Sequence, residues 1–370
     1  MAGVGLSTAY GILIAMAWLL GLIEAFRSVS SLLSPRIHRC SGPLVSVIIP
    51  VRLHSYTLPR LLDSIRKQEC INYEVIIIDD RNPLKESIAI KSIAERYGFK
   101  YLRINELPVG WAPKAYALYT GYKASEGDVL VFIDADSILL SPHSLAVMRD
   151  SALRGGIAGF HPRFRCDTHL CKILATALLG IAHSYSGFHK VMGDKGIAWF
   201  YGCCWSITRN LYELLGGHSA VSCSVVEDRD FAIHAKRSEV GINIYRGVYT
   251  IATQWHDTIT GTMGVVMRIA LKHLIEEPLK LIAQSIAALI IYLSPIMLTL
   301  TGNMLGLLAL LLQITSAAVA ARPAGINPIY AIGYPVSSLI VPVALVKLIL
   351  DKKIEWRGWT LTMGDVKCSL

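Results

Sequence analysis

Two carboxylates one residue apart, Asp134 and Asp136, follow the apolar run VLVFI at 129–133. Side chains spaced in this way can hold a hard divalent cation whose remaining coordination comes from substrate phosphates. Burying two acids at the end of a strand costs free energy unless something cationic compensates, so this pair carries more weight than an Asp-x-Asp in a surface loop. A second pair, Asp79-Asp80, closes the run YEVIIIDD; it can hydrogen-bond a base or ribose, or serve as a turn or helix N-cap. Glu227-Asp228 opens VVEDRDFAIHAKR. One of these acids can act as a general base toward a hydroxyl, and both also suit the positive end of a helix dipole. Lys114, in GWAPKAYAL, suits a diphosphate or a solvated surface. Phosphate loops of the GxxxxGKS/T and GxGxxG types are absent, which argues against P-loop and Rossmann nucleotide chemistry.

These residues need elements to hold them. LVSVIIP at 44–50, YEVIIIDD at 73–80 and VLVFID at 129–134 read as buried strands. Leu58, Leu61, Leu62 and Ile65 recur at helical spacing after the first, and a helix is predicted over 85–97 after the second. Strands alternating with helices predict an α/β domain with a mostly parallel sheet. Ligands bind at the carboxyl ends of such strands, and the acids lie at those ends.

The composition demands more than this domain. Of 370 residues 53% are hydrophobic and 17% charged, which excludes a disordered chain and disfavours a purely soluble one. The apolar excess sits at the two ends. Residues 8–26 form one apolar stretch with Glu24 as its single acid, and 281–300, 304–321 and 329–350 form three more, the last carrying Lys347. Each is long enough to cross a bilayer. No basic residue precedes the first stretch, which predicts an anchor rather than a removed leader. Arg27, Arg36 and Arg39 follow it, placing the next segment on the cytosolic side. Three spans after a cytosolic domain conflict with Lys352, Lys353 and Arg357 beyond the last, so one segment is expected not to cross fully.

Residues 264–280 predict an amphipathic interfacial helix, with Val265, Val266, Ile269 and Ile275 on one face and Arg268, Lys272 and Glu276 opposite. Residues 171–184 are apolar but short, and predict a helix lying on the domain or the membrane. The expected organisation is an anchor and linker (1–41), an α/β domain (42–262), the interfacial helix (263–280), and about three spans with a basic tail (281–370). The formal charge of +9 fits an anionic lipid or phosphorylated small molecule. No basic run with interleaved aromatics points to nucleic acid. Eight cysteines at 40, 70, 166, 171, 203, 204, 223 and 368 show no CxxC spacing and read as buried thiols.

In order, VSVIIPVR, YEVIIIDD, GWAPKAYALYTGYKASEGDVLVFIDAD, the stretch from YGCCW through LLGGH, and VVEDRDFA resemble the successive motifs of family 2 glycosyltransferases with the GT-A fold. The flanking anchor and spans, and KIEWRGW near the end, are similar to the membrane-anchored kind typified by ceramide glucosyltransferase and related lipid glycosyltransferases. The resemblance covers about residues 44–235.

It implies inverting transfer of a single sugar from a nucleotide sugar, UDP-sugar ahead of GDP-sugar, to a membrane lipid at the cytosolic face. By the same resemblance Pro50, Arg52, Asp79 and Asp80 line the nucleotide pocket and Lys114 lies near the diphosphate. Asp134 contacts ribose and, with Asp136, a Mg²⁺ or Mn²⁺ ion. Asp228, beside Glu227, deprotonates the acceptor. Trp111, Trp205, Gly216, Gly217 and His218 shape the acceptor side, and Arg268 is a candidate phosphate contact. The QxxRW motif of processive and ceramide-type members is missing, which favours one transfer per acceptor over the alternative of extending a polyisoprenyl-linked or extracellular polysaccharide. A transport or binding protein with a regulatory α/β domain would favour charges within the spans, and only Glu24 and Lys347 qualify.

Overall fold

The computed structural model describes residues 2–36, 40–53, 55–193, 196–356 and 359–362. Arg39, Arg357 and Cys368, named above, lie outside them. Within KIEWRGW, Lys353–Trp356 and Trp359–Thr362 pair as a short antiparallel ribbon.

The chain divides into two compact units, neither continuous in sequence. Leu32–Arg165 and Val191–Gln254 build one around an eight-stranded sheet. Its strands are β1 (Val45–Val51), β2 (Tyr73–Asp80), β3 (Lys100–Ile104), β4 (Val129–Ile133), β5 (Ser137–Leu139), β6 (Ile157–Arg165), β7 (Cys204–Thr208) and β8 (Ile242–Gln254). They lie in the order β3-β2-β1-β4-β7-β6-β8-β5, parallel from β3 to β4 and between β6 and β8, antiparallel where β7 and β5 join.

The predicted strands form because β-branched runs such as Val47, Ile48 and Ile49, or Val75 to Ile78, are covered on both faces. The helix Pro113–Lys123 approaches β1 through Gly121, where a Cβ would stand 2.4 Å from Cγ2 of Ile48. That contact fixes the helix directly behind the strand ends and delivers its first turn, with Lys114, to the sheet's carboxyl edge.

The other unit comprises Met1–Ser31, Cys166–Lys190 and the chain from Trp255 onward. Leu6–Ser31, Pro278–Leu300 and Met304–Ala324 are helices long and apolar enough to cross a membrane. The expected span at 329–350 is instead broken: Pro328–Ser337 and Ile340–Asp351 meet at 43°. Pro335 and Pro342 each lack the N–H that a continuous helix needs. Ile14, Trp18, Ala177, Leu298, Ala317 and Tyr334 pack into this unit's core.

The short apolar stretch near 171–184 becomes the helix His169–Tyr185, which packs here rather than on the sheet. Glu24, the acid in the first span, is held by Lys190 Nζ at 2.5 Å and His189 Nε2 at 3.2 Å. Four residues on, Ser28 Oγ is 2.8 Å from His183 Nδ1.

Two expectations need correction. The amphipathic helix runs Ile259–Glu276, its buried face is Met267, Ala270, Leu271 and Leu274, and Ile269 is exposed. A second helix starts at Pro278, so the expected segment is interrupted at Glu277. The cysteines are not all thiols. Cys40–Cys70 and Cys166–Cys171 are disulfides, Cys223 is disulfide-bonded as well, and Cys203 and Cys204 are free. Cys40 and Cys70 meet because the segments leading into β1 and β2 enter neighbouring parallel strands in register, Val45 opposite Tyr73. No local spacing announces such a meeting.

Candidate active site

The carboxyl ends of β1, β2 and β4, the helix Pro113–Lys123 and the start of the helix Glu227–Arg237 surround one site in the sheet unit. Lys114 is its hub. Nζ lies 3.0 Å from Asp134 Oδ1 and 2.9 Å from Glu227 Oε1. Glu227 is 3% exposed, so its charge is compensated through Lys114 rather than by water. The lysine thus joins the β4 acid to the helix-start acid, a link absent from any local pattern.

Asp134 and Asp136 are placed by backbone bonds. The Asp134 N–H donates to the Cys203 carbonyl at 3.1 Å, Thr57 Oγ1 donates to the Ala135 carbonyl at 2.8 Å, and the Gln254 N–H donates to the Asp136 carbonyl at 3.2 Å. Thr253 Oγ1 donates to Asp136 Oδ1 at 3.4 Å. The start of β7, the end of β8 and the cap of the helix Leu58–Arg66 therefore clamp one triplet. Two oxygen donors at this position fit a Mg²⁺ or Mn²⁺ ion that takes its other ligands from phosphates and water. Among the described residues no three His, Cys, Asp or Glu side chains converge to cage a metal alone.

Asp228 is held differently. The Gly202 N–H donates to Oδ2 at 2.9 Å and the Arg229 N–H to Oδ1 at 2.8 Å. Both of these donors are main chain, and they orient the carboxylate. A Cβ on Gly202 would stand 2.4 Å from Asp228 Oδ2. Gly202→Ala is therefore expected to lower turnover on the order of 10²-fold by displacing that carboxylate, while a thermal melt shows a modest stability change.

On the β1–β2 side, Asp79 is fully buried. Its Oδ1 accepts from the Asn82 N–H at 3.2 Å and Asn82 Nδ2 at 2.7 Å, and its Oδ2 from the Tyr101 hydroxyl at 2.7 Å. Asp79 thus shapes the loop after β2 and presents no open carboxylate in this conformation. Asp80 pairs with Arg81 at 2.9 Å, and burial raises its pKa against the pull of Arg81 and Arg52. Arg52 donates to the carbonyls of Asp80 (3.0 Å) and Arg81, and burial lowers its pKa. Pro50 is buried within β1, opposite Ile78. These residues therefore build the loop that rims the site. Asn82, Tyr101, Thr57 and Gly202 were not legible from sequence, because each acts through a partner 3 to 78 positions away.

The expected acceptor residues separate. Trp111 is half-buried against Tyr116 and Tyr119. Trp205 is corrected: it is 1% exposed and stacked on Phe132, so it forms the core beneath the site and touches no ligand. Gly216 and Gly217 adopt left-handed φ of 75° and 56°, and the Tyr212 ring occupies the place of a Gly217 Cβ. His218 is fully buried, which lowers its pKa to about 3 against the upward pull of the Glu227 charge. Arg268 belongs to the helix Ile259–Glu276, in the apolar unit.

A mostly parallel sheet with acids gathered at its carboxyl edge is the GT-A arrangement. The mannosyltransferase PcManGT of Pyrobaculum calidifontis, solved in complex with GDP-Man and Mn²⁺, shares the fold over 93% of this chain and 99% of its own (TM-score 0.55, 18% identity). Residues 46–215 match the family described as glycosyl transferase family 2.

The 4,4'-diaponeurosporenoate glycosyltransferase of Staphylococcus haemolyticus is 25% identical over 225 residues, 59% of this chain and 58% of its own length. An uncharacterized glycosyltransferase of Haemophilus influenzae is 33% identical over 98 residues, 26% of this chain and 31% of its own. The chain thus spans little more than half the length of the first of these relatives and about a third of the second.

Proposed function

We propose that the chain is an inverting glycosyltransferase that moves one sugar from a nucleotide-sugar donor to a membrane lipid. The observation that carries this reading is the Lys114 bridge between Asp134 and Glu227, with Asp228 next in sequence and oriented by Gly202. Asp134 and Asp136 would hold the divalent ion, which supplies charge stabilisation to the leaving diphosphate. Lys114 turns from the carboxylates to the phosphate oxygens as the donor enters. Asp228 accepts the proton of the acceptor hydroxyl while that oxygen forms the new bond to the anomeric carbon from the face opposite the departing diphosphate. The diphosphate leaves with the electrons of the broken bond. Inversion follows from a single displacement.

A lipid acceptor is supported by the apolar unit. It contains a cavity of ≈ 540 Å³ lined by residues such as Leu170, Ile173, Met263, Val336, Ile340 and Val343, suited to a hydrocarbon chain. The staphylococcal relative is named a 4,4'-diaponeurosporenoate glycosyltransferase, and that name favours a lipid acceptor here. Arg27 and Arg36 after the first span support a cytosolic site. If the bent pair Pro328–Ser337 and Ile340–Asp351 enters and leaves on one side, the three membrane-length helices bring Lys352 and Lys353 to that face as well. Disulfides on that side have precedent in the intracellular proteins of hyperthermophiles. UDP-sugar is the first donor to test and GDP-sugar the second.

The test is a thermal-shift panel on the detergent-purified chain with UDP and GDP, each with Mn²⁺, Mg²⁺ or chelator. Near 100 times its dissociation constant the correct nucleotide is expected to stabilise by about 2.7 kcal/mol, and chelator to abolish the gain. A folded sample that responds to no nucleotide overturns the reading.

A further inference from the structure

Both oxygens of the Asp134 carboxylate face one ammonium: Lys114 Nζ stands 3.0 Å from Oδ1 and 3.2 Å from Oδ2. The same nitrogen is held from the start of the helix Glu227–Arg237 by Glu227 Oε1 at 2.9 Å. The backbone that carries it is fixed. Ala112, the residue before the helix Pro113–Lys123, donates its N–H to the Ser222 carbonyl at 2.6 Å, and Gly121 seats that helix on β1. Lys114 thus reaches Asp134 from an anchored first turn, on a flexible four-carbon stem that can redirect its charge. Its side chain is 28% exposed, so a solute can reach the ammonium. Asp136, by contrast, takes a hydrogen bond from Thr253 Oγ1 at 3.4 Å.

We propose that Lys114 is an internal counter-ion that holds Asp134 against free divalent ions and yields it only to a diphosphate, so that the site takes ion and nucleotide as a pair. This role rests on the function proposed above and deepens it. A carboxylate already paired with a cation is a poor ligand for a second one. A dication and an ammonium about 4 Å apart repel enough, even at the dielectric of water, to weaken binding on the order of 30-fold. A diphosphate reverses that balance, because its oxygens give Lys114 new partners and leave Asp134 open. The coupling is reciprocal: whatever factor the ion gains from the nucleotide, the nucleotide gains from the ion.

Calorimetry on the detergent-purified full chain tests this. Mn²⁺ is titrated alone, and again in the presence of UDP or GDP, into the wild type, Lys114→Met, Lys114→Gln and Lys114→Arg. Met and Gln remove the charge with different side-chain polarity, and Arg keeps it. Lys123→Met is the control for bulk charge, since Lys123 is exposed at the far end of the same helix. Thermal melts establish folding.

Lys114→Met and Lys114→Gln are expected to bind Mn²⁺ alone on the order of 10- to 100-fold more tightly than the wild type, and to bind nucleotide with Mn²⁺ more weakly. Those opposite signs mark the role, because a lysine that merely braced the fold would weaken both on removal. Lys114→Arg and Lys123→Met are expected to keep the wild-type Mn²⁺ affinity. Unchanged or weaker Mn²⁺ binding in the folded Met and Gln variants overturns the proposal. An equal gain in Lys123→Met overturns it too, since net charge alone would then explain the effect. So does a wild type that binds Mn²⁺ equally well with and without nucleotide. A folded wild type that binds Mn²⁺ but neither nucleotide overturns the proposed function itself, an outcome separate from the variants' response to Mn²⁺ alone.

Discussion

Asp228→Asn is expected to lower kcat on the order of 10²- to 10⁴-fold, the contribution of a positioned general base, while nucleotide affinity stays near wild type. The main chain aims two N–H groups, from Gly202 and Arg229, at the two carboxylate oxygens. An amide offers one oxygen, so its NH₂ must face one of these donors. The variant therefore loses the proton acceptor and also its fixed orientation. Stopped-time transfer assays combined with nucleotide calorimetry measure the two effects separately. If kcat stays within about tenfold of wild type, below the lower end of a base's contribution, Asp228 is not the base and the assignment moves to Glu227.

Asp136→Ala is expected to have the second large effect, and it acts on donor handling instead. Asp134 is already engaged with Lys114 at 3.0 Å, whereas Asp136 is set by Thr253 and the Gln254 backbone at the opposite end of the triplet. Removing it leaves a divalent ion with one protein carboxylate, itself shared with a cation. Losing that ion's charge stabilisation costs several kcal/mol in the transition state, on the order of 10²- to 10³-fold in kcat/KM. The Mn²⁺ concentration for half-maximal rate is expected to rise in parallel. A variant with an unchanged Mn²⁺ titration would place the ion elsewhere.

The two effects come from opposite halves of the site, and sequence revealed those halves unequally. Asp134 and Asp136 were legible because VLVFI, a run buried on both faces, leads straight into them; strand and acids share one local signal. Glu227-Asp228 were legible as acids at a helix start, and the helix begins at Glu227. Which acid is compensated by Lys114 and which by main-chain amides was not legible. Lys114 and Gly202 reach them across 113 and 26 positions.

Trp205 shows the reverse error. The family resemblance assigned Trp205 to the acceptor side, but β7 buries it against Phe132. The pairing of β7 between β4 and β6 makes it a central strand covered on both faces.

Similarly, apolar length identified the membrane-length helices. It read 329–350 as one stretch, where two prolines and the packing of Tyr334 break the helix.

By itself the sequence determined the kind of chemistry, the parallel strands that present it and the apolar ends, because each is written in residues that are near neighbours along the chain. Only the tertiary structure decided the disulfides, the break in the last apolar segment, the loop-shaping role of Asp79 and the amide clamp on Asp228. Most of those depend on pairs such as Cys40 and Cys70, Asp79 and Tyr101, or Gly202 and Asp228, which lie 22 to 30 positions apart and meet only once the strands are in place.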